Sequence, residues 1–327
     1  MELLQIEKAQ SNGVVQPIIE EVKDIRFIES NTQPVNLSEI RDKHLIPVFV
    51  KDNTPTISQA DFIQTAIDAV EGTSGKNVAN LAVRVSHPIK GRVFSARNKK
   101  AADLQENEKT LYYERMAFAF EIPAYKESLH GQELTMTVVG VKAYNHDNLY
   151  SYGNSLQHFK IGIGYKVKVC TNLCLFTDGT ALDLTVRSAG ELEDSICELI
   201  QQYDSAAHLV DLNRFGDYQL SEKEFATLIG KARLYNHLPK NLKAEIPKLI
   251  VSDSQISSMT REYYKDESFR RNPDGSINLW NIYNLLTGSV KSSYIGSFMD
   301  RSVNAFQFTN GIAQALENTG NYQWFLN

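Results

Sequence analysis

The chain has 327 residues, 42% of them hydrophobic and 22% charged, which is typical of a globular protein. Its formal net charge is −5, so contact with nucleic acid requires a local basic patch rather than a basic chain. Its three cysteines do not make a disulfide framework, and they favour a reducing compartment. The start of the chain lacks a signal-peptide pattern, and no apolar run approaches the roughly 20 residues that span a bilayer. We therefore expect a cytoplasmic protein with no membrane partner.

Hydrophobic patterning divides the chain into an arm and one domain. Residues 1–35 are polar and weakly patterned, which predicts an N-terminal arm. Residues 36–327 are predicted to form a single α+β domain that is β-rich at 44–188 and helical at 189–327. An apolar run at 44–50 is of strand type.

The first predicted helix follows Ser58, which stands three residues before Asp61 in a variant of the capping box. Apolar residues then recur at helical spacing up to Val70, and Gly72 and Gly75 are expected to end the helix.

The middle of the chain predicts a mostly antiparallel central sheet, at about residues 80–187. Strands are expected at 111–122 and 133–143, and the clearest pattern lies at 159–170. There apolar residues alternate strictly with lysine and glycine, so one face of the strand is predicted to be buried. The other face carries Lys160, Lys166 and Lys168. An Asp-Gly pair within 177–180 predicts a turn before a last strand, and helices are expected to pack on the sheet from residue 189 onward.

Predicted helices follow in the C-terminal part of the chain. Ser221 and Glu224 form a capping box at the start of one helix. Another helix begins near Leu279, and Gly288 is expected to close it. A last helix is predicted at roughly 300–318.

Charge is distributed unevenly along the chain. Residues 72–102 contain seven Lys or Arg and no Asp or Glu. If this stretch and the lysine strand are neighbours, the sheet has a basic face that can bind phosphates by counterion release, and tyrosines on it can stack on unpaired bases. The alternative is a solvated face whose lysines protect a sheet edge from aggregation. The candidate nucleic-acid-binding residues are Arg84, His87, Lys90, Arg92, Lys160, Lys166, Lys168, Tyr112 and Tyr165.

A short stretch from Ser86 to Arg92 places a histidine, two cations and a glycine in a turn-like segment. Such a segment can bind phosphate through backbone N–H groups, but it lacks the P-loop pattern. A hairpin or loop bent by Pro88 is the alternative.

The sequence predicts no catalytic residue, no metal site and no cofactor. Cys170 and Cys174 lie four residues apart, and the further ligands that a zinc site needs are missing. The stretch that begins at Asp211 resembles a calcium loop, yet Phe215 stands where an oxygen ligand is required. Whether the protein is an enzyme is left open, and we lean towards a non-enzymatic role.

The segment 276–310 contains few charges among many polar and aromatic residues. Such composition suggests burial, where each polar group needs a partner. One interpretation is an internal hydrogen-bond network, and the other is a ligand pocket. The candidate pocket residues are Asn284, Lys291, Asp300, Arg301 and Asn304.

Four stretches together resemble a bacterial domain-of-unknown-function family carried on prophages, plasmids and conjugative elements, and more distantly other phage- and plasmid-borne proteins. They are Ile46-Pro47-Val48-Phe49 with Thr56-Ile57-Ser58, the stretch Arg84–Arg92, Val169–Cys174 with Thr177-Asp178-Gly179, and Trp280–Gly288 with Lys291–Ile295 and Asp300–Ala305. The resemblance implies a setting on mobile DNA and brings no activity with it.

Our leading hypothesis is therefore a mobile-element accessory protein that contacts nucleic acid through a basic sheet face. The alternatives are a module that binds a host protein through the acidic helix at 191–198, and an enzyme or ligand-binding protein with a pocket near 284–304.

Overall fold

The computed structural model describes residues 26–30, 32–43, 56–96, 98–147 and 156–327. The elements in chain order are β1 (Gln33–Val35), α1 (Leu37–Lys43), α2 (Gln59–Ser74), β2 (Ala79–Val85), β3 (Pro88–Arg92), β4 (Lys109–Tyr113), β5 (Arg115–Leu129), β6 (Gln132–Ala143), β7 (Gln157–Val167), β8 (Leu173–Val186), α3 (Ala189–Gln202), α4 (Ser205–Arg214), β9 (Gln219–Leu220), α5 (Glu222–His237), α6 (Lys240–Lys243), α7 (Asp253–Lys265), β10 (Ile277–Asn278), α8 (Leu279–Val290) and α9 (Ile295–Leu316).

Within the described residues, six strands form one antiparallel sheet in the order β1-β2-β5-β6-β7-β8. Strands β5 to β8 form a meander, because strands that are consecutive in the chain are hydrogen-bonded neighbours in the sheet. The predicted α+β class with a mostly antiparallel sheet and C-terminal helices packed on it is confirmed.

The first face of the sheet is covered by α2 and α3. Phe62 of α2 packs edge-on against Phe118 of β5 and Phe159 of β7, with ring centroids 5.1 and 4.8 Å apart. Leu192 and Ile196 of α3 join the same core cluster. The apolar, odd-numbered side chains of β7 point to this face, as its period-two pattern predicts.

The second face of the sheet is covered as well, by the first turns of α9. Phe298, Met299 and Val303 form a second core cluster with small residues of the central strands. Ala117 and Ala119 of β5 leave the room that this helix needs at the sheet surface. A sheet with both faces covered has little open surface to offer a ligand.

The predicted boundary of the N-terminal arm at residue 35 is wrong. Phe27 and Ile28 are buried in the second core cluster, and β1 pairs with β2 at the sheet edge. Their burial supplies the apolar contacts that an arm lacks. Residues 1–25, and the strand predicted at 44–50, lie outside the described residues.

The turn predicted at 177–180 is also misplaced. The connection between β7 and β8 lies at 168–172, where Thr171 adopts the left-handed conformation with a φ of 56°. Residues 177–180 instead form an irregular stretch inside β8, where the register with β7 shifts. Thr180 stabilises this bulge by donating its hydroxyl to the carbonyl of Phe176 at 2.7 Å.

The predicted capping boxes are confirmed at the N-termini of two helices. Ser58 and Asp61 form the capping box of α2, and Gly75 ends that helix with a φ of 63°. Ser221 and Glu224 do the same for α5. Gly288, in contrast, lies inside α8, which continues to Val290.

We expect Gly164→Ala to lower the free energy of unfolding by about 1–3 kcal/mol, because the new methyl carbon would lie 2.1 Å from the carbonyl oxygen of Cys174. Gly230→Ala in α5 is the matched control, since its methyl group meets nothing within 4 Å. This variant should gain about 0.5–1 kcal/mol from helix propensity. Urea unfolding followed by circular dichroism measures both, and equal shifts in the two variants would contradict the predicted close packing at Gly164.

Candidate nucleic-acid interface

The three lysines of the predicted open sheet face are paired with carboxylates. Lys160 contacts Asp300 of α9 at 2.5 Å and donates to the carbonyl of Gly296 at 2.9 Å. Lys166 pairs with Glu121 of β5, and Lys168 lies 3.0 Å from Glu133. The expected basic face at β7 is therefore wrong, because neighbouring elements neutralise it.

The glycines between these lysines are covered too. A side chain at Gly162 would meet Met299 of α9 at 3.2 Å, and one at Gly164 would meet the backbone of β8. These positions serve close packing inside the protein, so they do not offer backbone to a phosphate.

The predicted stacking tyrosines are inside the protein. Tyr165 is 2% exposed and belongs to the core of the first face, and Tyr112 is 7% exposed with its ring packed edge-on against Tyr144. Neither ring presents a face to a nucleic-acid base, so the stacking part of the hypothesis is wrong for these two residues.

Arg84 also has a structural position. Its Nε donates to the hydroxyl of Thr32 at 2.8 Å, and its guanidinium donates to the Thr32 carbonyl at 3.0 Å. The buried side chain thus holds the segment before β1 against the sheet edge.

The remaining candidates, His87, Lys90 and Arg92, come together on a two-stranded ribbon. Strands β3 and β4 pair antiparallel from Pro88↔Tyr113 to Arg92↔Lys109. They continue the β2–β5 pair past its end, where the amide of Ser86 donates to the carbonyl of Arg115 at 2.9 Å. Residues 93–108 join the two strands at the far end. We call residues 87–113 the ribbon.

One face of the ribbon is basic. Residues directly opposite each other in an antiparallel pair share a face, so Lys90, Leu111, Arg92 and Lys109 lie on the same side. The other face carries Thr110, which is buried. Between residues 87 and 115 the sequence has seven basic and four acidic residues, although the whole chain is at −5.

Pairing leaves part of this charge available. Lys99 contacts Glu108 at 2.5 Å, and Lys109 contacts Glu106 at 2.5 Å. Lys90 and Lys100 are exposed, and neither has an ion-pair partner within the described part of the chain. These exposed cations can therefore meet an external anion.

A groove of about 630 Å³ lies between the basic face of the ribbon and the chain that returns to β4. Its lining combines cationic, apolar and polar residues with one acidic residue: Lys90, Gly91, Arg92, Ala101, Leu104, Glu106, Lys109, Thr110 and Leu111. The arrangement suits an anionic ligand with an apolar part.

The candidate pocket residues of the C-terminal helices form an internal network. Asn304 accepts from the amide of Ile250 at 2.9 Å and donates to the carbonyl of Lys248 at 2.8 Å. Arg301 donates to Gln255 at 3.0 Å and Ser293 at 3.2 Å. Asp300 is the partner of Lys160 described above. These contacts account for the polar groups without a ligand.

Lys291 and Asn284 continue the network towards the β7–β8 turn. Lys291 donates to the carbonyl of Cys170 and to the hydroxyl of Thr171, and burial lowers its pKa. The backbone carbonyl of Asn284 accepts from Asn172 at 2.8 Å. The network thus ties α8 to the turn of the sheet.

The cysteines are single thiols. Burial raises the pKa of the Cys174 thiol strongly, and the pKa of Cys170 is raised as well. In the part of the chain that the structure describes, no three His, Cys, Asp or Glu side chains are grouped so as to hold a metal ion.

Sequence reasoning missed a buried ion pair at the end of β6. Lys142 is 0% exposed, and its ammonium contacts Asp147 at 2.5 Å and lies 3.8 Å from the centre of the Phe159 ring. Asp147 also accepts from the amide of His158 at 2.8 Å. Burial lowers the pKa of Lys142, and the carboxylate of Asp147 opposes that shift. The available signal was a single lysine within the apolar run 136–143.

His208 is a second buried titratable group that the sequence patterns do not reveal. Its ring packs against Phe176 and Phe306 with centroids 4.9 and 5.5 Å away, and its Nδ1 lies 2.8 Å from the hydroxyl of Tyr203. Burial lowers the pKa of His208 to about 3, so the ring is neutral at pH 7.

No described helix combines the length and the apolar character that crossing a membrane requires. The acidic residues of α3, the helix considered above as a surface for a host protein, are exposed: Glu191, Glu193, Asp194 and Glu198.

The family model described as "Domain of unknown function, B. Theta Gene description (DUF3871)" matches residues 8–326. Since this match covers nearly the whole chain, the protein belongs to that family. No curated protein and no solved structure matches the chain. The resemblance to a domain-of-unknown-function family is confirmed, and the link to mobile elements stays a prediction.

We expect Asp147→Asn to lower the free energy of unfolding by about 3–5 kcal/mol, because it leaves the buried ammonium of Lys142 without a counter-charge. Glu133→Gln is the matched control, since Glu133 pairs with Lys168 at the exposed surface and its loss should change stability much less. Urea unfolding of both variants tests this, and similar small losses would contradict a stabilising buried pair.

We expect His208 to make the fold sensitive to mild acid. A pKa near 3 in the folded state and an ordinary pKa near 6.5 in the unfolded state mean that only the unfolded ring takes up a proton between these values. Stability contributed by the neutral ring is complete above pH 6.5 and is lost as the pH falls, by about 2 kcal/mol between pH 7 and pH 5.

His208→Phe should therefore lose less stability between pH 7 and pH 5 than the wild type, by about that amount. If the free energy of unfolding falls equally with pH in wild type and His208→Phe, the prediction that His208 is protonated only in the unfolded state is wrong.

Proposed function

We propose that this member of the DUF3871 family is a nucleic-acid-binding accessory protein that contacts duplex DNA through the ribbon. Its setting is the bacterial cytoplasm and mobile genetic elements, as the sequence resemblance implies. The ribbon takes the place of the β7 face in the original hypothesis, because the lysines of β7 are neutralised.

The exposed cations of the ribbon are the observation that carries the proposal. Lys90 and Lys100 are exposed and unpaired among the described residues, and Arg92 and Lys109 lie beside them on the basic face or its edge. A local excess of positive charge on an acidic chain attracts a polyanion to this one location.

The dimensions of the ribbon support a duplex partner. Two paired strands lie about 4.8 Å apart, so with side chains the ribbon fits a major groove about 12 Å wide. Its five residue pairs extend about 17 Å at roughly 3.3 Å per residue. Two-stranded ribbons are an established way to enter a DNA groove.

Buried tyrosines argue against the single-stranded variant of the original hypothesis at the sheet. Tyr112 and Tyr165 were its stacking residues, and both are enclosed by the core. Phosphate contacts by lysine and arginine carry the affinity instead, and such contacts are independent of sequence.

The test is fluorescence anisotropy of a labelled duplex across a salt series. Binding should weaken linearly in log affinity against log salt, and Lys90→Gln and Lys100→Gln should each reduce the slope by about 1. Lys168→Gln is the control: this lysine is also exposed, at 66%, but it lies next to Glu133 on another strand and should leave the slope unchanged.

Two outcomes would overturn the proposal. One is the absence of duplex binding at low salt. The other is an equal loss of slope in Lys168→Gln and Lys90→Gln, which would place the contact on the general surface and not on the ribbon.

A further inference from the structure

The groove of the ribbon has a composition that phosphate contact alone does not require. Leu104 and Leu111 line it together with Ala101, beside the cations of β3. Leu111 is 38% exposed, so part of its apolar side chain is open to a ligand. Phosphate binding by a duplex backbone gives no role to these apolar walls.

The charged groups of the groove are asymmetric. Lys90 and Arg92 come from β3, where Arg92 also donates to the carbonyl of Lys99, and Lys109 from the facing strand is paired with Glu106. The Glu106 side chain is 90% exposed, so the pair is weak in water and opens at low cost when an anion approaches. Cations from β3 and the apolar side chains of Leu104 and Leu111 therefore line one groove.

We propose that the groove binds one unpaired nucleotide, with its 5′-phosphate at Lys90 and Arg92 and one face of its base against Leu104 and Leu111. The volume of about 630 Å³ lies within the range of roughly 300–1,000 Å³ found for small-ligand sites. The same nucleoside phosphate chemistry can come from a free nucleotide or from a strand end.

The strand-bound form rests on the proposed function and makes it more specific. A base inside a continuous duplex is stacked on both faces, so it cannot reach an apolar wall without being flipped out. A nucleotide in a single-stranded extension has exposed faces and enters at little cost. The protein then prefers a duplex with a single-stranded extension to a blunt duplex.

The experiment compares two labelled probes by anisotropy, a blunt duplex and the same duplex with a short 5′ extension. Wild-type protein should bind the extended probe at least about fivefold more tightly, which corresponds to burying about 40 Å² of apolar surface. Leu111→Ser removes one apolar side chain from the groove without changing charge, so it should abolish this preference, measured as the ratio of the two affinities. Leu234→Ser, at a 59% exposed leucine of α5, should change neither.

Adenosine 5′-monophosphate and inorganic phosphate serve as competitors and separate the two sources. Displacement of the extended probe by the nucleotide, but not by phosphate at equal concentration, supports a nucleotide site. Equal displacement by both overturns the apolar contact.

Failure of this inference is distinct from failure of the proposed function. Equal binding of both probes, or a preference retained by Leu111→Ser, overturns the nucleotide site while duplex binding stands. Failure to bind either probe overturns the proposed function and the strand-bound form. In that case, wild type and Leu111→Ser are titrated with the nucleotide alone. Binding of a free nucleotide in the groove is overturned if the two proteins bind it equally or not at all.

Discussion

Burial of both faces of the six-stranded sheet is the constraint on which the rest of the structure depends. The cluster around Phe62 and Phe159 covers one face, and Phe298 and Met299 of α9 cover the other. Any polar side chain on these faces must then find a partner within the protein. Lys160 and Lys166 do so with carboxylates, and Lys142 does so with Asp147.

The C-terminal helices are held to this sheet by polar contacts as well as by apolar packing. Lys291 reaches the carbonyl of Cys170, and Asn172 reaches the backbone of α8. The side chain of Asn304 forms two hydrogen bonds with the backbone of the segment before α7. Buried networks of this kind fix one arrangement of helices on a sheet, since each alternative leaves polar groups without partners.

The ribbon extends past the end of the β2–β5 pair, so its exposed side chains are not covered by helices as those of the sheet are. There cations need no internal partner, and Lys90 and Lys100 remain in contact with solvent. Sequence analysis identified this stretch as basic and grouped it with β7, since both stretches carry several basic residues. The structure keeps the two apart: β7 lies inside the sheet, between β6 and β8, and the ribbon forms a separate two-stranded sheet.

The sequence by itself determined the features whose partners lie close along the chain. Ser58 caps with Asp61 three residues away, and the alternation of β7 fixes which side chains share a face. Only the tertiary structure decided which charges are neutralised, because Lys166 meets Glu121 and Lys160 meets Asp300, partners 45 and 140 residues away. The period of a strand says which residues share a face, whereas what covers that face depends on elements that pack there from elsewhere in the chain.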